Sequence, residues 1–462
     1  MSNRPDNFPI DEVIPELLRT VENSPVVILA APPGAGKTTR VPIALRGAQI
    51  VREKRILMLE PRRLAARRAA EFMASQMAEV VGQTVGYRIR GEIRVGKNTS
   101  IEVLTEGVLT RMLQDDPGLP GVGVVIFDEF HERSIHADLG LAFCLDVQKH
   151  LRPDLRILIM SATLDGARIA SVVGNAPVVE SSGKLFPIQT THARFESDKP
   201  VTVKTAETIL RALESTEGDV LAFLPGWREI RRTDEILYER GIPEDIRVHS
   251  LHGEAPAATQ NAAIEPAPPG IRKVILSTNV AETSLTIEGV RVVVDSGLVR
   301  TARFDVRRGM SELVTIPISR ASADQRRGRA GRLAPGFCFR IWTEDEHARL
   351  DEYAQPEIKS ADLAPFALEL AQWGSPGGQD LSFPDPPPAG NLQRARKLLE
   401  DLEAVDSSGK LTATGKAMAE LPVHPRLAHI EWHVGEQTVA RLRASHEERW
   451  NGCRLAARCY DV

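Results

Sequence analysis

A glycine-rich segment directly after a short apolar run constrains the fold of this chain more than any other feature. The run Val26–Ala30 predicts a buried strand, and it continues into Ala31-Pro32-Pro33-Gly34-Ala35-Gly36-Lys37-Thr38 and then into a stretch of helical period. Glycines in this context allow backbone N–H groups to curl around a phosphate, and the N-terminus of the following helix adds positive potential. The segment therefore predicts a phosphate loop on a parallel α/β sheet. A glycine-rich turn without a ligand is the weaker alternative, because Gly-Lys-Thr follows the strand in register.

The side chains of this loop predict a nucleotide with its metal ion. Lys37 would reach the β- and γ-phosphate oxygens, and the hydroxyl of Thr38 would bind Mg²⁺. The common pattern begins with Gly, whereas this chain has Ala31 at that position. The predicted ligands are a nucleotide and Mg²⁺, and the predicted nucleotide-binding residues are Ala31, Pro32, Pro33, Gly34, Ala35, Gly36, Lys37, Thr38 and Thr39.

A pair of acidic residues follows a second apolar run. Val122–Phe127 leads straight into Asp128-Glu129-Phe130-His131, which places two carboxylates at the carboxyl edge of the predicted sheet. Asp128 suits the Mg²⁺ site, and Glu129 suits the orientation of an attacking water. Taken alone, such a pair fits a helix N-cap better. The phosphate loop upstream reverses that preference.

Apolar runs rich in β-branched residues recur through the first 345 residues and alternate with helical stretches. Near-continuous runs of this kind are typical of parallel strands that are buried on both faces, so the fold class is α/β with two doubly wound parallel sheets in tandem. The predicted domains are residues 1–190 and 191–345, with a seam near Gly183–Pro200, and then a helical module over residues 346–430. The predicted strands are Val26–Ala30, Arg55–Leu59, Ile101–Leu104, Val122–Phe127, Arg156–Met160, Val220–Leu224, Val248–Leu251, Lys273–Ser277, Arg291–Val294 and Phe337–Trp342.

Composition narrows the class of protein. Hydrophobic residues make up 42% and charged residues 26% of the 462 residues, which excludes disorder as the main state. The formal net charge of -4 excludes a uniformly basic nucleic-acid coat. Two segments are nevertheless basic: residues 52–68 carry seven Lys or Arg against two Glu, and residues 300–332 carry nine Arg against three acids. The chain has no CxxC pair and no apolar run of membrane-spanning length, so we expect a cytoplasmic protein with no membrane partner.

Several further strings occur in a fixed order along the chain. Together with the two sites above they resemble the superfamily-2 DEAH/DExH helicases, most of all the bacterial HrpB-type subgroup, whose acidic box also reads DEFH. The resemblance covers about residues 15–430 and implies a P-loop NTPase with two RecA-like domains and a winged-helix module over 346–430. ATP would lie between the domains and single-stranded nucleic acid across their top. The strings are Glu60–Ala66, Thr105–Leu109, Ser161–Leu164, Phe223–Gly226, Ser277–Ile287 and Gln325–Arg332.

The resemblance also implies roles for individual residues. In addition to Glu129, it implies three further catalytic residues. Arg329 and Arg332 would be arginine fingers, and Gln325 would help to place the attacking water. Without it, the basic run Arg326–Arg332 fits a surface patch equally well. The implied coupling residues are His131, Ser161 and Thr163. The implied nucleic-acid-binding residues are Arg62, Arg63, Thr105, Thr278 and Asn279.

The sequence also bears on the selectivity for the nucleotide base and for the nucleic-acid sequence. Related eukaryotic members hold the adenine between an arginine and a phenylalanine, and the matching positions here are Phe72 and Ile264. We therefore expect weak base selectivity, with other nucleoside triphosphates also hydrolysed. Contacts to phosphates and sugars carry little sequence information, so we expect low sequence specificity as well. For Arg67 and Arg68 a solvated helix face is the preferred interpretation.

Three functions remain in view from the sequence. The leading one is an ATP-dependent RNA helicase or translocase acting on single-stranded or partly duplex RNA. A DNA translocase with the same motor is the second, since no motor motif reports a 2′-OH contact. The third is a nucleic-acid-binding ATPase fragment that does not unwind, because the resemblance stops past Ile430 and residues 431–462 suggest an atypical tail on a truncated chain.

Overall fold

Two parallel sheets, one in each half of the chain, organise the fold. The computed structural model describes residues 8–162, 169–170, 172–183, 186–195, 198–283, 287–332 and 334–434. The first sheet has eight strands in the order β4-β3-β5-β2-β6-β7-β1-β8, and β4 alone runs antiparallel to its neighbour. Its strands are β1 (Val26–Ala30), β2 (Arg55–Glu60), β3 (Val85–Ile89), β4 (Glu92–Arg94), β5 (Ile101–Thr105), β6 (Val122–Phe127), β7 (Arg156–Ser161) and β8 (Val178–Glu180).

Strand β1 shows why this sheet is sandwiched between helices. All five of its residues are buried, and successive side chains point to opposite faces. Val26 and Ile28 join one apolar cluster, whereas Val27 and Leu29 join another on the other face. The helices that cover the two faces are α1 (Ile14–Asn23), α2 (Lys37–Leu45), α3 (Arg63–Gln76), α4 (Glu106–Asp115) and α5 (Ile135–His150).

The second sheet has six parallel strands in the order β11-β12-β10-β13-β16-β9, and a separate antiparallel hairpin, β14–β15, accompanies it. The strands are β9 (Ile188–His192), β10 (Asp219–Phe223), β11 (Ile246–Leu251), β12 (Arg272–Ser277), β13 (Val290–Asp295), β14 (Leu298–Asp305), β15 (Met310–Pro317) and β16 (Gly336–Arg340). The helices are α6 (Val201–Ser215), α7 (Trp227–Glu239), α8 (Ala257–Ile264) and α9 (Arg320–Gly328).

All ten strands predicted from apolar runs are confirmed, with ends that differ by at most two residues. The strands that the prediction missed are β3, β4, β8, β9, β14 and β15. Strand β9 has the sequence Ile-Gln-Thr-Thr-His, and β15 is mostly exposed with polar residues among its apolar ones, so neither carries a continuous apolar run. Strand β9 spans the predicted boundary at 190/191 and pairs with β16, so the chain has already entered the second sheet there. The domain boundaries themselves stay predictions.

A helical module follows the second sheet and packs back onto the first. The first helix, α10 (Glu344–Ala348), still lies beside the second sheet, where Nε2 of His347 is 3.2 Å from Nη1 of Arg340. The helices that pack onto the first sheet are α11 (Ala364–Trp373), α12 (Ala389–Asp401), α13 (Ala413–Glu420) and α14 (Pro425–Val434). Phe366 and Leu370 of α11 share one apolar core with Leu109 and Phe143 of the first domain. Within the described residues, no helix is both long enough and apolar enough to cross a membrane.

Trp373 anchors this module. Its ring stacks on Phe143 with centroids 4.1 Å apart and planes 10° apart, and its Nε1 donates to Asp146 Oδ2 at 2.9 Å. Arg133 of the first domain reinforces the same interface by donating to Asp385 of the module at 2.9 Å, while Asp138 of its own domain holds the guanidinium at 3.0 Å. The module and the first sheet therefore form one packed body.

We expect Trp373→Ala to destabilise the folded chain by about 2–4 kcal/mol, since it removes a stacked aromatic ring and the hydrogen bond to Asp146 Oδ2. Trp432→Ala is the matched control, because Trp432 is 52% exposed on α14 and should cost no more than about 0.5 kcal/mol. Denaturant unfolding followed by circular dichroism measures both. Equal losses in the two variants would contradict this account of the interface.

Candidate nucleotide site and domain cleft

The glycine-rich loop connects β1 to α2 and begins beside β7, where the N–H of Ala31 donates to the carbonyl of Ser161 at 3.0 Å. Gly34 and Gly36 have φ angles of 87° and 90°, a left-handed conformation that side chains with a Cβ rarely adopt. Because these residues lack side chains, the backbone can turn tightly here and lead into the N-terminus of α2, whose first N–H groups have no partner within the helix. This is the cradle that a phosphate group needs.

Two buried contacts join this loop to the end of β6. Lys37 Nζ donates to Glu129 Oε1 at 2.9 Å, and both side chains are only 4% exposed. Thr38 Oγ1 donates to Asp128 Oδ2 at 2.5 Å. The strands β1 and β6 flank β7 and run parallel, so their carboxyl ends meet at one edge of the sheet. The structure thus brings the four predicted residues together, and their roles stay predictions.

The pKa values of the two acids are shifted in opposite directions. Burial raises the pKa of Asp128 to about 6, with Lys37 opposing this and Glu129 adding to it. Burial also acts to raise the pKa of Glu129, but the charge of Lys37 and its hydrogen bond act against burial, and that pKa lies well below its usual range. Glu129 is therefore ionised at neutral pH. Asp128 lies at an anionic centre that a cation would stabilise further.

Mg²⁺ fits the oxygen atoms of this edge. The Thr38 hydroxyl and the Asp128 carboxylate lie side by side, and both are ligand types that the ion prefers. Among the described residues no group of three or more His, Cys, Asp or Glu could hold a metal ion by itself. Phosphate oxygens and waters would have to supply the other ligands of the ion.

His131 connects the acid pair to the end of β7. Its Nε2 lies 3.5 Å from Glu129 Oε2, and its Nδ1 accepts the N–H of Ala162 at 3.2 Å. Burial lowers the pKa of His131, so the ring is neutral at pH 7 and accepts at Nδ1. Ser161 is fully buried at the end of β7. Thr163, the third predicted coupling residue, lies outside the described residues.

The second domain places two arginines opposite the loop. A Cβ built on Gly34 would lie 3.7 Å from Cγ and Nε of Arg332, so that side chain passes directly over the glycine-rich turn. Arg329 is held by a hydrogen bond from its Nε to the carbonyl of Glu282 at 2.8 Å. Burial and the charge of Arg332 lower the pKa of Arg329, and burial lowers that of Arg332 to about 10. Glu129 counteracts both shifts, which places the two guanidinium groups within its field.

The remaining residues of α9 differ in their surroundings. The Nε2 of Gln325 is buried and has no hydrogen-bond partner within the part of the chain that is described. Arg326 is 1% exposed and donates to Glu282 Oε2 at 2.8 Å and to Asp295 Oδ1 at 3.0 Å. A surface patch is therefore the wrong interpretation for Arg326, which instead fixes α9 onto the sheet. The sequence shows the charge of this residue but not the acids that bury it.

The predicted nucleic-acid-binding residues occupy different environments. Arg63 is exposed at the start of α3, and Thr105, Thr278 and Asn279 are half-buried at the carboxyl ends of β5 and β12. Arg62 instead makes contacts within the protein: it donates from Nη2 to Glu132 and from Nη1 to Thr283, both at 2.8 Å.

The sequence analysis missed Glu132 and Thr283 as partners of Arg62. Glu132 directly follows the acidic box, and Thr283 lies within the string Ser277–Ile287. Their proximity depends on the packing of the two domains, which no local pattern reports.

The prediction of a solvated face for Arg67 and Arg68 is wrong. Arg67 pairs with Glu92 at 2.5 Å, and Arg68 donates to Asn261 of α8 across the domain cleft.

Phe72 lies one turn after Arg68 on α3, and Ile264 lies one turn after Asn261 on α8. The two positions expected to flank a base therefore belong to helices that face each other.

Comparison with known proteins assigns the family. Residues 10–172 match the family described as "DEAD/DEAH box helicase", residues 203–334 match "Helicase conserved C-terminal domain", and residues 395–423 match "Helicase associated domain (HA2), winged-helix". The predicted fold of two RecA-like domains followed by a winged-helix module is thereby confirmed.

Individual relatives agree with these matches. The chain is 48% identical over 428 residues to ATP-dependent RNA helicase HrpB of Escherichia coli (strain K12), a match that covers 91% of this chain and 52% of that protein. It is 38% identical over 433 residues to the human protein "Probable ATP-dependent RNA helicase DHX34", covering 90% of this chain and 37% of the relative. The chain thus spans about half or less of the length of these relatives.

A solved structure gives the same result in three dimensions. The crystal structure titled "Crystal structure of Escherichia coli DEAH/RHA helicase HrpB" superposes with a TM-score of 0.86 at 46% sequence identity, covering 92% of this chain and 54% of the other. The phosphate loop, the acidic box and the arginines across the cleft lie within the two matched helicase segments. From its motifs, its two sheets and these matches, the chain belongs to the DEAD/DEAH box helicase family.

Proposed function

We propose that this chain is the motor of an ATP-dependent RNA helicase, which couples ATP hydrolysis between its two RecA-like domains to movement along a single strand and to duplex unwinding. The observation that carries the proposal is the closed cleft itself. The Lys37–Glu129 ion pair lies on one side, and Arg332 passes over Gly34 from the other. Both relatives named above are described as RNA helicases, which supports RNA over DNA as the polymer.

The chemistry follows from the competition for Lys37. The γ-phosphate of ATP would offer this lysine a second anion, because the nitrogen lies at the end of the loop that cradles the phosphates. Glu129 would then hold a water rather than the lysine, and its ionised state suits it to accept a hydrogen bond from that water. Thr38 and Asp128 would hold Mg²⁺, which neutralises charge on the phosphate oxygens when it is bound.

The second domain would supply the rest of the site. Charge that develops on the γ-phosphate needs cations from outside the cradle, and Arg329 and Arg332 lie where they can provide them. Gln325 would donate to the attacking water or to the phosphate from its buried Nε2. His131 contacts both Glu129 and the N–H of Ala162, so a change at Glu129 would reach the end of β7 through this ring. Ser161 and Thr163 flank Ala162 in the sequence.

The polymer would lie along the carboxyl ends of β5 and β12. Thr105, Thr278 and Asn279 present hydroxyl and amide groups there, and Arg63 adds an exposed positive charge. Phosphate and sugar contacts of this kind bind a strand without reading its bases. Arg62 would join them only when it exchanges one of its present partners for a phosphate.

We also place the protein in the cytoplasm. The two cysteines within the described residues, Cys144 and Cys338, are free thiols in the apolar cores. Burial raises the pKa of the Cys144 thiol, and it raises that of Cys338 to about 12. Neither thiol is therefore suited to a reactive or a metal-binding role. Unpaired, inert thiols suit a reducing compartment.

The first prediction concerns the polymer. We expect single-stranded RNA to stimulate steady-state ATP hydrolysis, and single-stranded DNA of the same sequence and length to stimulate it less. Lys37→Ala removes the cation that meets the phosphates, and Glu129→Gln removes the base, so each should lower kcat by at least about 100-fold. Equal stimulation by both polymers would favour a DNA-competent translocase. Activity without any polymer response, or activity that survives both substitutions, would contradict the proposal.

The second prediction concerns the base. Because Phe72 and Ile264 replace the arginine and phenylalanine that enclose adenine in related eukaryotic members, GTP, CTP and UTP should be hydrolysed with kcat/KM within about 100-fold of ATP, or ~2.7 kcal/mol. The double variant Phe72→Arg with Ile264→Phe should raise the preference for ATP. A strict ATP preference in the natural chain would refute this expectation.

A further inference from the structure

Glu132 lies at the centre of a hydrogen-bonded ring that spans the two domains. Its Oε2 accepts from Nη2 of Arg62 at 2.8 Å, and its Oε1 accepts from the hydroxyl of Thr283 at 2.5 Å. The same hydroxyl accepts from Nη1 of Arg62 at 2.8 Å, so it is satisfied as donor and as acceptor. Arg62 and Glu132 belong to the first domain and are each 19% exposed, whereas Thr283 belongs to the second and is 3% exposed.

The residue before Thr283 holds the arginines of α9 and of the turn that follows it. The carbonyl of Glu282 accepts from Nε of Arg329 at 2.8 Å. Its carboxylate accepts from Nε of Arg326 at 2.8 Å and from the hydroxyl of Ser322 at 2.5 Å. Residues 282–283 are therefore tied to the first domain on one side and to Arg329 on the other.

Glu132 also lies close in sequence to Glu129, the acid at the nucleotide site. It ends a short 3₁₀ turn, Phe130–Glu132, that begins directly after Glu129. Glu129 itself has a φ of 49°, a strained value for a residue with a side chain, and the N–H of Glu132 donates back to its carbonyl at 2.9 Å. One tight turn thus carries both the acid that faces the nucleotide site and the acid that contacts the second domain.

We propose that Glu132 is a positioning residue for the hydrolysis step: it docks residues 282–283 of the second domain onto the first and thereby sets Arg329 opposite Glu129. This inference rests on the proposed function for its kinetic consequence, but the docking contact stands on the geometry alone. Hydrogen bonds to a charged acceptor are stronger than those between neutral groups, and a small misplacement of a catalytic group is costly.

Hydrogen exchange of the protein without nucleotide tests the docking contact. Thr283→Val keeps the shape of the side chain and removes its hydroxyl, so exchange of the backbone amides in residues 278–283 should rise at least about fivefold. Glu132→Gln should act in the same direction. Thr283→Ser keeps the hydroxyl and should stay within about twofold of the natural chain. Asn261→Ala removes the contact with Arg68 instead and should leave exchange in residues 278–283 unchanged, which separates this contact from domain closure in general.

Steady-state kinetics tests the consequence for catalysis. Thr283→Val should lower kcat for ATP by about tenfold with KM within about twofold, because the phosphate loop is untouched and only Arg329 is displaced. The double variant Glu132→Gln with Thr283→Val should be no slower than the slower single variant, since both remove one contact.

Either of two results would overturn the inference. One is unchanged exchange in residues 278–283 of Thr283→Val, and the other is a rise in KM with kcat unaltered. A natural chain without nucleotide hydrolysis would instead refute the proposed function, and the exchange experiment would still decide the docking contact.

Discussion

The ion pair between Lys37 and Glu129 is the interaction on which the rest of the site depends. Both groups are removed from water, so the pair is stable only while the loop and the end of β6 hold them 2.9 Å apart. The parallel sheet imposes that geometry, because β1 and β6 deliver their carboxyl ends to one edge on either side of β7. A buried charge pair of this kind is also exchangeable: an anion that reaches Lys37 would free Glu129, whose charge would then be balanced only by the nearby Arg329 and Arg332.

The second domain completes this edge rather than forming a site of its own. Its arginines enter the field of Glu129 from across the cleft, and their position depends on contacts remote from the phosphate loop. Arg326 anchors α9 to Glu282 and Asp295, and Glu282 in turn holds Arg329. The helical module has a different place in the architecture, since Trp373 and Arg133 join it to the first domain. Motion between domains would therefore separate the second sheet from a body made of the first sheet and the module.

Local patterns predicted much of the fold and the core of the site. Strands such as β1 and β6 are buried on both faces, so their composition alone identifies them. The loop and the acidic box follow those strands in sequence, and the parallel sheet brings them together. Strands β9 and β15 escaped prediction because their polar residues interrupt any apolar run.

The contacts between domains could not be predicted in the same way. Glu132 and Thr283 are far apart in the chain, and neither residue type indicates its partner. Arg68 looked like a solvated residue because its partner Asn261 lies on a helix of the other domain. Arg62 likewise matched a nucleic-acid-binding position, whereas the structure engages its guanidinium in the cleft. Such pairs follow from the relative placement of two separately predictable sheets.

The central claim is that hydrolysis requires a cation from the second domain at the phosphate loop of the first. Single-turnover hydrolysis of bound ATP by Arg332→Ala, measured beside ATP affinity, tests it most directly. The account predicts that the rate constant falls by at least about 100-fold while the Kd for ATP changes by only a few fold. Hydrolysis at the natural rate in that variant would contradict the account.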